Sequence, residues 1–91
     1  MVPLQNFAPG VLADVIRRQP PSPARTSFAW TVAVGPALAR STTATLTGAV
    51  LTVRARDQRW MKEVERARDT ILARMQQLLG RENVVRIEIE R

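Results

Sequence analysis

The chain has no cysteine, no histidine and only four glycines in 91 residues. Each shortage removes a class of chemistry. Without cysteine there is no disulfide and no thiolate zinc site, and the composition suits a reducing compartment. Without histidine the usual general base and the commonest metal ligand are both missing. Gly10, Gly35, Gly48 and Gly80 stand too far apart to form a glycine-rich phosphate loop. Asp14, Asp57 and Glu63 are lone carboxylates without a metal-binding pattern, and Ser41 has no base to activate it. A catalytic site needs a nucleophile, a base and an orienting group within reach. The chain therefore reads as a non-enzyme with no cofactor, no metal and no small-molecule substrate. No apolar run approaches the roughly 20 residues of a membrane-spanning helix, and no basic-then-apolar leader precedes a cleavage site. The expectation is a soluble cytoplasmic protein with no membrane partner.

Arginine is what the chain has in excess. Thirteen arginines and one lysine face eight carboxylates, for a formal net charge of +6. The guanidinium is a planar fork of donors that suits phosphate. A basic balance of this size favours a polyanionic partner. An arginine-rich proteome would explain the scarcity of lysine but not the net charge. Ninety-one residues suit a single core, and an apolar fraction of 45% is ordinary for a globular chain.

The stretch Asp57 to Gly80 organises the rest. Trp60, Val64, Ala67, Ile71, Met75, Leu78 and Leu79 recur in steps of three and four, the pattern of one long amphipathic helix. Asp57 suits its N-cap, and Gly80 suits a left-handed end. Before it, Met1 to Asn6 reads as extended or frayed. Ala8 to Gln19 reads as a short helix with Val11, Leu12, Val15 and Ile16 on its apolar face. Pro20, Pro21 and Pro23 form a stiff linker. This divides the chain into an N-terminal helix with its linker, residues 1–22, and a domain over residues 23–91. Ser22-Pro23 starts a second helix to Val34. Gly35-Pro36 interrupts it before a further turn, Ala37 to Arg40.

Three strands follow from alternation. Ser41 to Thr47 and Ala49 to Arg56 form a hairpin about a Thr47-Gly48 turn. In the second, Leu51, Val53 and Ala55 face one way and Thr52, Arg54 and Arg56 the other. In Val84 to Glu90, Val85, Ile87 and Ile89 alternate with Arg86, Glu88 and Glu90. The order is α-α-β-β-α-β, an α+β fold with a three-stranded sheet and helices packed on one face.

The open face of that sheet would carry Thr45, Thr52, Arg54, Arg56 and Arg86, with Arg59 and Lys62 at the start of the long helix. Arg54, Arg56, Arg59, Lys62 and Arg86 are thus the candidate nucleic-acid face, where each neutralised phosphate adds salt-dependent affinity. Against that stands a solvated face whose charges pair locally, with Glu88 and Glu90 on the third strand. Glu63 with Arg66 and Glu65 with Arg68 offer such pairs on the helix. Arg17 and Arg18 are secondary candidates, since they also complement the dipole of their own helix end. Trp30 and Trp60 could each stack on a base. Both lie in apolar helical series, which reads them as core.

These residues resemble the DciA family. The pattern is Trp30, Val34-Gly35, Ser41, Leu46, Leu51-x-Val53, Trp60, Ile71-Leu72, Leu79-Gly80, and Val85 with Ile87 and Ile89. It runs from Phe28 to Glu90, and the order and spacing of the two tryptophans are its most specific part. The resemblance implies a KH-like fold, DNA binding, and a role in loading or operating the bacterial replicative helicase. Single-stranded or forked DNA and the replicative helicase are then the expected partners. A KH domain clamps the nucleic-acid backbone with a Gly-x-x-Gly loop, and no two glycines here are three apart. Binding is therefore expected from arginine-rich sheet and loop surfaces, with weak sequence selectivity. Two alternatives stay open: a protein-interaction domain with only nonspecific nucleic-acid contact, and a KH-like RNA-binding protein.

Overall fold

The computed structural model describes residues 9–90. The reading of Met1 to Asn6, and the first residue of the Ala8 to Gln19 helix, lie outside the described residues. Eight elements follow in order: α1 (Pro9–Arg18), α2 (Pro23–Val34), α3 (Pro36–Arg40), β1 (Thr42–Thr47), β2 (Val50–Ala55), α4 (Gln58–Arg66), α5 (Arg68–Leu79) and β3 (Arg86–Glu90). The sheet order is β1-β2-β3, with β1 antiparallel and β3 parallel to the central β2. This is the expected α+β arrangement, with the helices on one face.

Local chemistry sets most boundaries. Ser22 Oγ accepts the Arg25 backbone N–H at 3.0 Å and Pro23 takes the first helical position, which together start α2. Asp57 Oδ1 accepts the Trp60 N–H at 3.1 Å and starts α4 in the same way. The hairpin turn is Gly48-Ala49 rather than Thr47-Gly48. Gly48, at φ +60°, occupies the first central position, the one that needs a positive φ in a II′ turn. β-Branched Thr47 stays in the strand, opposite Val50.

The long helix expected over Asp57 to Gly80 is two helices, because Ala67 leaves the helical path at φ −99°, ψ 10°. No breaker residue stands there. α4 packs on β2 and β3, whereas α5 packs on α1 and α2 as well as β3. The two halves follow different partners, and tertiary packing overrides the high helix propensity of alanine. Gly80 ends α5 with positive φ, +104°, but with an extended ψ of 142° rather than the left-handed helical value.

One core joins these elements. Leu51, Val53 and Ile87 from the sheet meet Ala29, Trp30 and Ala33 of α2, Val64 of α4, and Ile71, Met75 and Leu79 of α5. Ala13 and Ile16 of α1 belong to the same core. Val15, expected on the apolar face of α1, is half exposed. Val85 is exposed too, while Val84 is fully buried. The regular alternation begins only at Arg86, because the loop before β3 turns Val84 inward.

Side chains close the helix ends. Asn83 Nδ2 donates to the Leu79 carbonyl at 2.6 Å, and Gln76 Nε2 to the Val84 carbonyl at 2.9 Å. Arg74 Nη1 donates to the Ala33 carbonyl at 2.9 Å and ties α5 to the end of α2. These bonds tie α5 to α2 and to the loop that leads into β3.

Candidate nucleic-acid interface

The open face takes its residues from the strand register. Thr43, Thr45 and Thr47 are exposed on β1. Thr45 lies opposite Thr52, and Thr43 opposite Arg54. On the other side of β2, Thr52 lies opposite Glu88 and Arg54 opposite Glu90. The face is therefore a threonine stripe bordered on β3 by Arg86, Glu88 and Glu90.

The structure divides the seven candidate residues into three places. Arg54 and Arg56 lie at the end of β2 and share a shallow groove with Arg40, Ser41 and Thr43. The Arg56 backbone N–H donates to the Ser41 carbonyl at 2.8 Å, which draws the end of α3 against the end of β2. Arg59 and Lys62 follow directly, exposed on the first two turns of α4. This is the basic end of the sheet. Arg86 is elsewhere. It lies opposite Val50 beside the hairpin turn, while Arg54 lies opposite Glu90, so the two arginines are about four residues, or roughly 13 Å, apart along the strands. Arg17 and Arg18 end α1, which packs on α5. Arg17 donates to the Gln77 carbonyl and shares a cleft with Arg25 and Arg81.

Local pairing is selective. Arg54 is bound to Glu90, and Arg86 donates to Glu88 Oε1 through Nε at 3.2 Å and Nη2 at 3.0 Å. Arg66 lies 3.8 Å from Glu63. All of these side chains are largely exposed, and such pairs are worth only about 0.2–1 kcal/mol. Among the described residues no ion pair involves Arg40, Arg56, Arg59 or Lys62.

Arg40 was not a candidate from the sequence, where it reads as the end of a helical turn. The hairpin is the signal for it. With the turn at Gly48-Ala49, residue 41 must meet residue 56, and Arg40 must come beside Arg56.

The two tryptophans part company. Trp30 is 3% exposed, and its indole N–H is satisfied by Thr42, so it is a core residue. Trp60 is not in the core but partly exposed at the start of α4, with the Arg59 guanidinium 5.9 Å from its ring centroid. The helical series reads Trp60 as core, but Val64 is the residue α4 buries and Trp60 stays only partly covered. The α4–α5 break carries Arg66 and Arg68, both exposed, and no glycine.

Among the described residues no group of three or more acidic, histidine or cysteine side chains could hold a metal ion. No described helix is long and apolar enough to cross a membrane. The DciA family model, described as Dna[CI] antecedent, matches residues 3–89. The chain belongs to that family, which implies a role in loading the bacterial replicative helicase. The family is one of loaders and accessory factors, not a known enzyme family. No curated protein and no solved structure matches the chain.

Proposed function

We propose that the chain is a KH-like, non-enzymatic accessory protein of DNA replication in the bacterial cytoplasm. It binds single-stranded or forked DNA through the basic end of its sheet and helps load or operate the replicative helicase. One observation carries the DNA contact. Arg40, Arg54 and Arg56 converge on one groove, with Arg59 and Lys62 leading away from it on α4. Four of these five cations are in no ion pair among the described residues. Their guanidinium forks suit backbone phosphates, and exposed threonines beside them suit phosphate and sugar oxygens. Phosphate contacts of this kind position the strand without carrying sequence information, so binding is weakly sequence-selective. Trp60, partly exposed beside Arg59, offers part of a ring on which an unpaired base can stack. Arg86, Arg17 and Arg18 are subsidiary contacts at most, since they lie away from the groove.

A second reading, a protein-interaction domain with only nonspecific nucleic-acid contact, is favoured by the Arg54–Glu90 and Arg86–Glu88 pairs. These neutralise much of the β3 side of the open face. Fluorescence anisotropy with labelled single-stranded, duplex and forked DNA, and matched RNA, separates the two. Saturable binding that prefers forked or single-stranded DNA supports the first. Equal, weak binding to all four, beside a nuclease-resistant complex with the replicative helicase, supports the second.

A further inference from the structure

The two edges of the sheet differ in what they offer. β3 carries Arg86, Glu88 and Glu90, and charges on an edge discourage another strand from adding to it. β1 reads Thr-Thr-Ala-Thr-Leu-Thr, with no charge, no proline and an unbroken register from Thr42 to Thr47. It has no charge, proline or bulge to protect it, and only the start of α2 stands beside it.

Hairpin geometry says which peptide groups are free. The two-residue turn makes Thr47 and Val50 a hydrogen-bonded pair, and in an antiparallel ladder such pairs recur at every second residue. Thr45 and Thr43 therefore bond inward to β2. The Arg56 to Ser41 bond falls on the same parity and continues the series. The peptide groups of Ala44 and Leu46 then point away from β2. Beyond β1, no backbone bond from a described residue reaches them.

The space beside this edge is a groove of about 450 Å³. Thr43 to Leu46 form one wall, and the start of α2, including Ser22, Pro23 and Ser27, forms the other. Arg25 is the one ionisable residue lining it. Outward N–H and C=O groups on alternate residues recur about every 6.8 Å along a strand, and an extended peptide backbone meets that spacing. The groove leaves room for alternate side chains of such a strand, and Arg25, whose Nη1 donates to the Gln19 carbonyl at 3.1 Å and which is in no ion pair among the described residues, complements a carboxylate. A net charge of +6 opposes a second copy of this chain. Nucleic acid would find no cation on β1 itself.

We propose that the free edge of β1 is a strand-addition site for an extended partner-protein segment bearing small or aliphatic side chains and a carboxylate. The inference rests on the helicase reading, which supplies that partner, and it assigns protein and DNA to different ends of the sheet.

Ala44→Pro tests it. Proline removes the outward N–H while leaving the β1–β2 bonds of Thr43 and Thr45 in place, the situation in which an edge strand tolerates proline. Affinity for the replicative helicase of the same cell is measured beside affinity for single-stranded DNA. The expected result is at least a tenfold loss for helicase with DNA affinity within twofold of wild type. Wild-type helicase binding that survives Ala44→Pro intact overturns the strand-addition site alone. Loss of DNA binding in its place assigns the edge to nucleic acid and also overturns it. If the wild-type chain does not bind helicase, the functional reading falls and takes this inference with it. Amide exchange on the wild-type complex gives an answer that needs no folded variant. The Ala44 and Leu46 amides are expected to slow at least tenfold when helicase is bound, and unchanged exchange overturns the proposal.

Discussion

The indole N–H of Trp30 donates to the Thr42 hydroxyl at 2.9 Å, and that hydroxyl donates in turn to the Leu38 carbonyl at 2.7 Å. The relay fastens α2 and the α3 turn to the first residue of β1. It also sets where Arg40 stands, two residues before Thr42. The position of the basic groove thus depends on a buried tryptophan that is not among the residues lining it.

Trp30→Phe should keep most of the apolar contact and lose the hydrogen bond. The Thr42 hydroxyl retains its acceptor in Leu38, so the expected cost is about 1–2 kcal/mol. A drop of several degrees in the thermal midpoint is the readout, at roughly 4–8 °C per kcal/mol for a domain of this size. An unchanged midpoint would show that the relay does not hold the fold together.

Glu90→Gln should release Arg54 from its pair at little cost to stability, because an exposed pair is worth about 1 kcal/mol or less. DNA affinity at low salt should rise, since one more guanidinium is then free for phosphate. Glu82→Gln makes the same change in net charge beside the α1–α5 cleft, away from the groove. Equal gains from both substitutions would reduce the effect to overall charge and remove Arg54 from the interface.

Gly80→Ala should destabilise the chain by at least about 1 kcal/mol, because its φ of +104° is one that other residues adopt only with strain. An added Cβ would also lie 2.9 Å from Glu82 Oε1 and 3.1 Å from Asn83 Nδ2. Displacing Asn83 exposes the Leu79 carbonyl that it caps. A denaturant midpoint equal to wild type would contradict this reading of the α5 end.

Much of this architecture is legible in the sequence because it depends on local rules. Leu51 and Val53 alternate with Thr52 and Arg54, and the period of two puts the first pair in the core. Ser22-Pro23 and Asp57 announce helix starts through the N–H groups they satisfy. What the sequence hides depends on contacts between elements. The pairing of Arg54 with Glu90 follows from the parallel register of β2 and β3, which no local pattern specifies. The break at Ala67 arises because α4 and α5 pack on different neighbours. Trp60 has the spacing of a core residue but stays partly exposed at the start of α4, outside the core. The candidate site was legible in the same proportion: Arg54 and Arg56 came from strand alternation, whereas Arg40 required the hairpin register.

The most direct measurement is the salt dependence of binding to labelled single-stranded DNA, for the wild-type chain and for Arg40→Ala/Arg54→Ala/Arg56→Ala. Each phosphate contact on a single strand contributes about 0.7 to the slope of log affinity against log salt. The triple substitution is expected to weaken binding at low salt and flatten that slope by about 2, with the thermal midpoint little changed. A folded triple variant with the wild-type slope would contradict the placement of DNA at this end of the sheet.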